Sequence, residues 1–267
     1  MTEHELGAAI AVARDAGALL RQRLNQPRDV AFKGVVDLVT DADRASEQLI
    51  ADRLRHSFPQ HRIVAEEGAR GTVAAEAAPS SFTWLIDPLD GTTNYAHRYP
   101  HFAVSIALAR EGTVQLGVVY DPMRDELFVA RRGHGATLNG APLHVSATAE
   151  LIHALLATGF PYDLTQRAEA VAIWDAFVNR VQGTRRDGSA ALDLCYVAAG
   201  RLDGFWERPL NAWDMAAGAL LVEEVGGRVS AYGGRPFDLD GHEIIASNGR
   251  LHAAMESVIT GVVGDGA

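Results

Sequence analysis

Apolar residues near the start of the chain recur at helical spacing, at Leu6, Ile10, Ala13, Gly17, Leu20 and Leu24, which predicts an amphipathic helix over residues 5–24. A second stripe (Ala45, Leu49, Ile50 and Leu54) predicts a helix over 43–58, stopped by Pro59. Residues 62–65 and 82–86 read as short strands, and the Gly, Ala, Pro and Ser-rich stretch 68–81 between them reads as a mobile loop. From Phe102 the period changes to two. Stretches 102–109, 114–120 and 126–130 predict a meander, turned at Glu111-Gly112 and Asp121-Pro122. The second half alternates instead: strand 154–158, helix 165–181, a helix after Gly188, strand 202–206, helix 212–225, strands 228–230 and 243–247, and helix 249–259. Strands first and alternating elements later predict a layered α/β (α+β) chain. Its two subdomains, 1–148 and 149–267, meet near residue 148 with no evident linker and share one rigid interface.

A length of 267 residues, 48% of them hydrophobic and 22% charged, allows a sizeable core and is ordinary for a soluble globular protein. The net charge of −10 argues against non-specific binding to nucleic acid or an anionic membrane. It also conflicts with handling an anionic phosphate unless metal ions reverse the charge locally. One cysteine, Cys195, excludes an intramolecular disulfide framework and fits a reducing compartment. The first residues lack the basic-then-apolar layout of a signal peptide, and no apolar run is long enough to span a bilayer, so a cytoplasmic protein is expected.

The chemistry concentrates in Trp84-Leu85-Ile86-Asp87-Pro88-Leu89-Asp90-Gly91-Thr92-Thr93. An apolar strand runs into two carboxylates, then into the composition of a helix start. Carboxylates from converging loop ends suit Mg²⁺, which takes oxygen ligands in octahedral geometry. The Leu89 carbonyl is a further oxygen between the two acids. Glu66-Glu67 follows another short strand, and Asp214 opens a later helix. Each alone reads more simply as a solvated charge or a helix cap. Gly91 permits close approach of a phosphate to backbone N–H groups at a helix start, and Thr92 adds a hydroxyl. The ten histidines show no metal-type sequence pairing and read as surface or supporting residues. Cys195 reads as a packed, inert thiol, and Arg185-Arg186 as solvated charges beside a candidate substrate loop.

These residues resemble the inositol monophosphatase family of Mg²⁺-dependent, lithium-sensitive phosphatases. The resemblance rests on the segment from Trp84 to Tyr95, on Trp213-Asp214-Met215-Ala216-Ala217-Gly218, on Asp37-Leu38-Val39-Thr40-Asp41-Ala42-Asp43 and on Ala65-Glu66-Glu67-Gly68. Gly159-Phe160-Pro161-Tyr162 and Arg186-Asp187-Gly188-Ser189-Ala190-Ala191-Leu192 are similar to the bacterial inositol-1-phosphatase branch. The resemblance implies an αβαβα sandwich with an antiparallel N-terminal and a mixed C-terminal sheet. It implies two or three Mg²⁺ per site, held by Glu66, Asp87, the Leu89 carbonyl, Asp90 and Asp214. Asp43 and Thr92 would activate the attacking water, and Gly91 and Thr92 would bind phosphate. Ala190 and Glu207 would meet the alcohol, with Asp90 and Asp214 also at the substrate. Lys33 would stand near the site, and Arg98 replaces a small residue found in many relatives. A homodimer is implied as well. The first expected substrate is myo-inositol 1-phosphate. Histidinol phosphate, fructose 1,6-bisphosphate and 3′-phosphoadenosine 5′-phosphate are alternatives of the same chemistry, and a non-catalytic partner of the transcription or RNA machinery is an alternative of another class.

Overall fold

The computed structural model describes residues 2–26, 29–68 and 81–264, so nearly all of the loop expected over 68–81 lies outside the described residues. The chain opens with α1 (Glu3–Arg23), a hairpin of β1 (Val30–Phe32) and β2 (Leu38–Thr40), and α2 (Asp41–Ser57). Then come β3 (Arg62–Ala65), β4 (Phe82–Asp90) and the short α3 (Thr92–Ala96). A run of strands follows: β5 (Ala103–Arg110), β6 (Thr113–Asp121), β7 (Glu126–Arg131), β8 (Ala136–Leu138) and β9 (Ala141–Pro142). The remainder comprises β10 (Leu155–Thr158), α4 (Arg167–Val178), β11 (Gly183–Arg185), α5 (Ala190–Ala198), β12 (Gly204–Glu207), α6 (Ala212–Glu224), β13 (Arg228–Ser230), β14 (Ile244–Ser247) and α7 (His252–Val263).

Period-two burial makes the layers. In β4, Trp84 and Ile86 join the core beneath α1 and α2, while Leu85 between them joins the core on the opposite face. β12 and β14 behave alike: Phe205 and Ala246 face inward to α5 and α6, whereas Trp206 and Ile245 face outward to α4 and α7. The order is therefore α1/α2, a seven-stranded sheet, α5/α6, a five-stranded sheet, and α4/α7. Each fully buried Leu, Ile or Phe side chain in these clusters contributes about 1.5–3 kcal/mol. The central layer can be thin because α5 and α6 present Ala191, Ala198, Ala216 and Ala217 to their neighbours.

The expected sandwich is present, and the five-stranded sheet is mixed, with β10 parallel to β11 and β12 and with β14 antiparallel to both β12 and β13. The first sheet departs from the expectation at one edge, where β3 runs parallel to β4 and the rest is antiparallel. A parallel pair needs a connection longer than a hairpin turn, and residues 66–81 provide the length. β4 also extends to Asp90, beyond the predicted end at residue 86. The helix expected over 165–181 begins with a 3₁₀ turn at Leu164–Gln166 and ends at Val178. No helix among the described residues is long and apolar enough to cross a membrane.

Candidate active site

The parallel pairing sets Ala65 against Ile86, so Glu66 and Asp87 leave neighbouring strands at the same edge. In an undisturbed strand, Asp87 and Asp90 would point to opposite faces, being an odd number of residues apart. The register between β4 and β5 shifts between these two residues, and this irregularity lets both carboxylates reach one cavity. Pro88 sits in the shift, where a missing N–H costs no ladder bond, and its carbonyl accepts a hydrogen bond from Ser46 (2.8 Å).

Glu66, Asp87, Leu89, Asp90, Gly91, Thr92, Ala190, Glu207 and Asp214 all line one polar cavity of about 150 Å³. Asp43 lies behind it, fully buried, in the first turn of α2. Asp87, Asp90 and Asp214 each commit one oxygen to the protein, and Asp43 commits both. Asp43 Oδ2 accepts from the Thr40 N–H (2.8 Å) and hydroxyl (2.5 Å), and Asp87 Oδ1 accepts from the Leu89 N–H (3.0 Å). Asp90 Oδ2 accepts from Ser189 Oγ (2.5 Å) and the Ala191 N–H (2.7 Å), and Asp214 Oδ2 accepts from the Asn211 N–H (2.7 Å). Asp43 and Asp214 are both the third residue of a capping box, so the bond that starts each helix also orients the acid. The Thr92 hydroxyl lies 2.8 Å from Asp43 Oδ1 and 3.1 Å from the Leu89 carbonyl. Its single proton goes to the nearer oxygen when Asp43 is ionised, a charge-assisted bond that leaves the carbonyl open to the cavity.

Burial together with like charge raises the whole set. Asp87 is pushed well up by loss of water, then by Glu66, Asp90 and Asp214. Asp214 is also pushed well up, first by burial and then by Asp90, Glu66 and Glu207 against its bond from Asn211. Burial lifts Asp90 to about 6 against its bonds from Ser189 and Ala191, and Glu66 to about 7 against Lys33. Glu207 reaches about 8, again through burial, opposed by Arg186. Burial raises Asp43 too, against its hydrogen bonds from Thr40 and Thr92.

Carboxylates raised above their unfolded values near 4 bind more protons in the folded state. Their stabilisation is complete at acid pH and is lost as pH rises through about 6, 7 and 8 for Asp90, Glu66 and Glu207. In the presence of a chelator, calorimetry is therefore expected to give a Tm lower at pH 8 than at pH 5 by roughly 5 °C or more. An unchanged or higher Tm at pH 8 would refute the destabilisation by these buried charges.

Lys33, from the hairpin, donates to Glu66 (2.9 Å) and to Glu67 (2.5 Å), so the basic residue expected near the site is in contact with one of its acids. Glycine at two positions makes the cavity possible. Gly91 has φ +96°, and a Cβ there would come within 3.0 Å of the His101 carbonyl. A Cβ on Gly159 would fall about 2 Å from the Glu207 carboxylate, so Gly159 gives that acid its room. Arg98 is exposed with φ +58°, outside the cavity lining, and Arg185 is exposed and donates to the Thr184 carbonyl (3.0 Å). Cys195 is buried, with its thiol pushed well up by burial.

Sequence reasoning missed Ser189 as the residue that holds Asp90. Its position immediately before α5, where a serine caps a helix, was the available signal. Most of the histidines are exposed, as expected, with two buried exceptions. His101 and His252 are buried, and His101 lies with Asp187 and Asp193 in a cluster whose ligand atoms are all within 4.8 Å of one another. No other such group of three is present among the described residues. No three of Glu66, Asp87, Asp90 and Asp214 bring ligand atoms within 4.8 Å of one another, and Lys33 is ion-paired with Glu66 at 2.9 Å.

Comparison with known proteins adds to this geometry. A sequence model described as "Inositol monophosphatase family" matches residues 1–262. The chain is 48% identical to "Nus factor SuhB" of Escherichia coli (strain K12) over 254 residues, 94% of this chain and 93% of the relative. It is 46% identical over 247 residues to the "Inositol-1-monophosphatase" of Synechocystis, covering 91% of this chain and 84% of that one. Among solved structures, the inositol monophosphatase of Anabaena superposes with a TM-score of 0.85 at 42% identity, covering 97% of this chain and 96% of that chain.

Proposed function

Because the chain belongs to the inositol monophosphatase family, we propose that it is a Mg²⁺-dependent phosphatase that hydrolyses a small phosphate monoester, myo-inositol 1-phosphate first among them. The observation that carries this reading is the set of acids around one cavity, with one oxygen of each of Asp87, Asp90 and Asp214 committed to the protein. The donor set fits magnesium: it is all oxygen, and its buried, mutually repelling carboxylates offer the negative charge that a divalent cation would neutralise. Glu66, Asp87 and the Leu89 carbonyl would hold one Mg²⁺, and Asp87, Asp90 and Asp214 a second. When bound, the two ions supply Lewis acidity to the phosphoryl group and lower the pKa of the attacking water.

The chain's own groups do the rest. Thr92 takes a proton from the attacking water and passes its own to Asp43 Oδ1, 2.8 Å away. Burial raises the basicity of Asp43 for that task. The N–H groups of Gly91 and Thr92 receive the phosphate oxygens. Glu207, lifted to about 8, carries its proton at neutral pH and can donate to, as well as accept from, a hydroxyl of the alcohol. Ala190, at the start of α5, also lines the cavity. A cytoplasmic homodimer belongs to the same reading.

Phosphate release from a panel of myo-inositol 1-phosphate, histidinol phosphate, fructose 1,6-bisphosphate and 3′-phosphoadenosine 5′-phosphate, with and without Mg²⁺ and Li⁺, tests the reading. Fastest Mg²⁺-dependent turnover of inositol 1-phosphate, inhibited by Li⁺, supports it. Faster turnover of histidinol phosphate would reassign the substrate. No turnover of any panel member would favour the second reading, a regulatory partner of the transcription machinery. That reading is supported by the 48% identity to a protein named as a Nus factor.

A further inference from the structure

The cluster of His101, Asp187 and Asp193 has no part in the proposed hydrolysis. His101 precedes β5, Asp187 lies in the loop before α5, and Asp193 lies one turn into α5. His101 is 4% exposed and Asp193 1% exposed, whereas Asp187 is half-buried. A buried histidine beside two carboxylates would ordinarily hydrogen-bond one of them. Here the His101 Nε2 and the Asp193 Oδ1 are both buried without a hydrogen-bond partner. Two unpartnered buried polar atoms in one cluster imply a missing water or ion. Leaving them so costs about 1–3 kcal/mol each.

The spacing suits an ion. A cation about 2.0–2.2 Å from each ligand separates the ligand atoms by at most about 4.4 Å. The observed limit of 4.8 Å closes to that with a small side-chain movement. Two carboxylates balance the charge of a divalent cation, and an imidazole nitrogen favours zinc-type ions over the all-oxygen preference of magnesium. The backbone that carries the ligands is already fixed. Asn94 Nδ2 donates to the carbonyls of both His101 (2.8 Å) and Asp187 (2.7 Å), tying the two segments together whether or not an ion is present.

We propose that His101, Asp187 and Asp193 form a binding site for a divalent transition cation of the zinc class, made of other ligands than the acids that would hold magnesium, although Asp193 also lines their cavity. The half-buried Asp187 and the cavity that Asp193 lines give the ion its entry. The ion would join the start of β5 to the 187–189 loop. Through Ser189 that loop holds Asp90, and it places Ala190 in the cavity wall. The site is thus a clamp on the substrate side of the cavity, and its proposal does not depend on which monoester is hydrolysed.

Zinc itself is the probe. Equilibrium dialysis of the whole chain against Zn²⁺ in excess Mg²⁺, followed by X-ray absorption at the zinc edge, is expected to show one zinc per chain with imidazole scattering. His101→Gln should remove the imidazole scattering, and Asp187→Asn should weaken that equivalent at least about tenfold. Asp187→Asn changes a half-exposed side chain, so it carries the test if His101→Gln fails to fold. A zinc equivalent lacking imidazole, imidazole scattering that survives His101→Gln, or wild-type affinity in Asp187→Asn would each overturn the proposal.

Discussion

Asp90→Asn is expected to abolish Mg²⁺-dependent turnover while making the metal-free protein more stable. The two effects have one cause. Asp90 is buried among acids, and its carboxyl is held up near 6, so at pH 8 the folded chain carries an ionised carboxylate that it accommodates poorly. Asparagine keeps an acceptor for Ser189 Oγ and the Ala191 N–H and removes the charge. Each kcal/mol so recovered should raise the metal-free Tm by about 2–4 °C. The same change removes one anionic ligand from the second proposed Mg²⁺. Loss of mere supporting contacts around a metal costs roughly 10–100-fold in affinity or activity, and loss of a ligand should exceed that. Phosphate release against Mg²⁺ concentration and melting in a chelator measure the two halves. Wild-type turnover at limiting Mg²⁺ would remove Asp90 from the metal site, and a lower metal-free Tm would show that its hydrogen bonds outweigh the repulsion.

Thr92→Ala should lower kcat by roughly 10²–10⁴-fold, the range of a positioned proton-transfer group, with little change in KM. Alanine keeps the backbone N–H that would meet phosphate and deletes the hydroxyl that links the water to Asp43. Asp43 retains two bonds from Thr40, so it stays oriented even when Oδ1 loses its donor. Thr92→Ser should restore most of the rate, since it returns the hydroxyl and omits a methyl. A defect confined to KM, or no rescue by serine, would refute the relay.

The acids of the site were legible in the sequence because they are local. Asp87, Asp90 and Thr92 sit within six residues of one another, and Glu66 and Asp214 each stand beside a recognisable strand end or helix start. The strand end itself was misplaced. Alternation cannot be read through Pro88, and the register shift that brings Asp87 and Asp90 together involves a partner strand, β5. The β1–β2 hairpin that carries Lys33 was not foreseen, because β1 is three residues long with every position exposed and offers no hydrophobic pattern. The short α3 is below the length at which helical periodicity shows, so only its start, at Gly91-Thr92-Thr93, was legible. The cluster of His101, Asp187 and Asp193 was invisible for another reason. Its members come from three segments that only the tertiary fold, with Asn94 between them, brings together.

The half-anchored aspartates also bear on which ion the cavity prefers. A carboxylate with one oxygen held by a backbone N–H offers its other oxygen most readily, so Asp90 and Asp214 favour ligation of a cation through a single atom. Calcium fills its six to eight positions partly by taking both oxygens of a carboxylate, whereas magnesium is content with single oxygens and retained water. Size discrimination is thus written into the hydrogen bonds behind the ligands rather than into the ligands themselves, and calcium should compete poorly with magnesium in a direct titration.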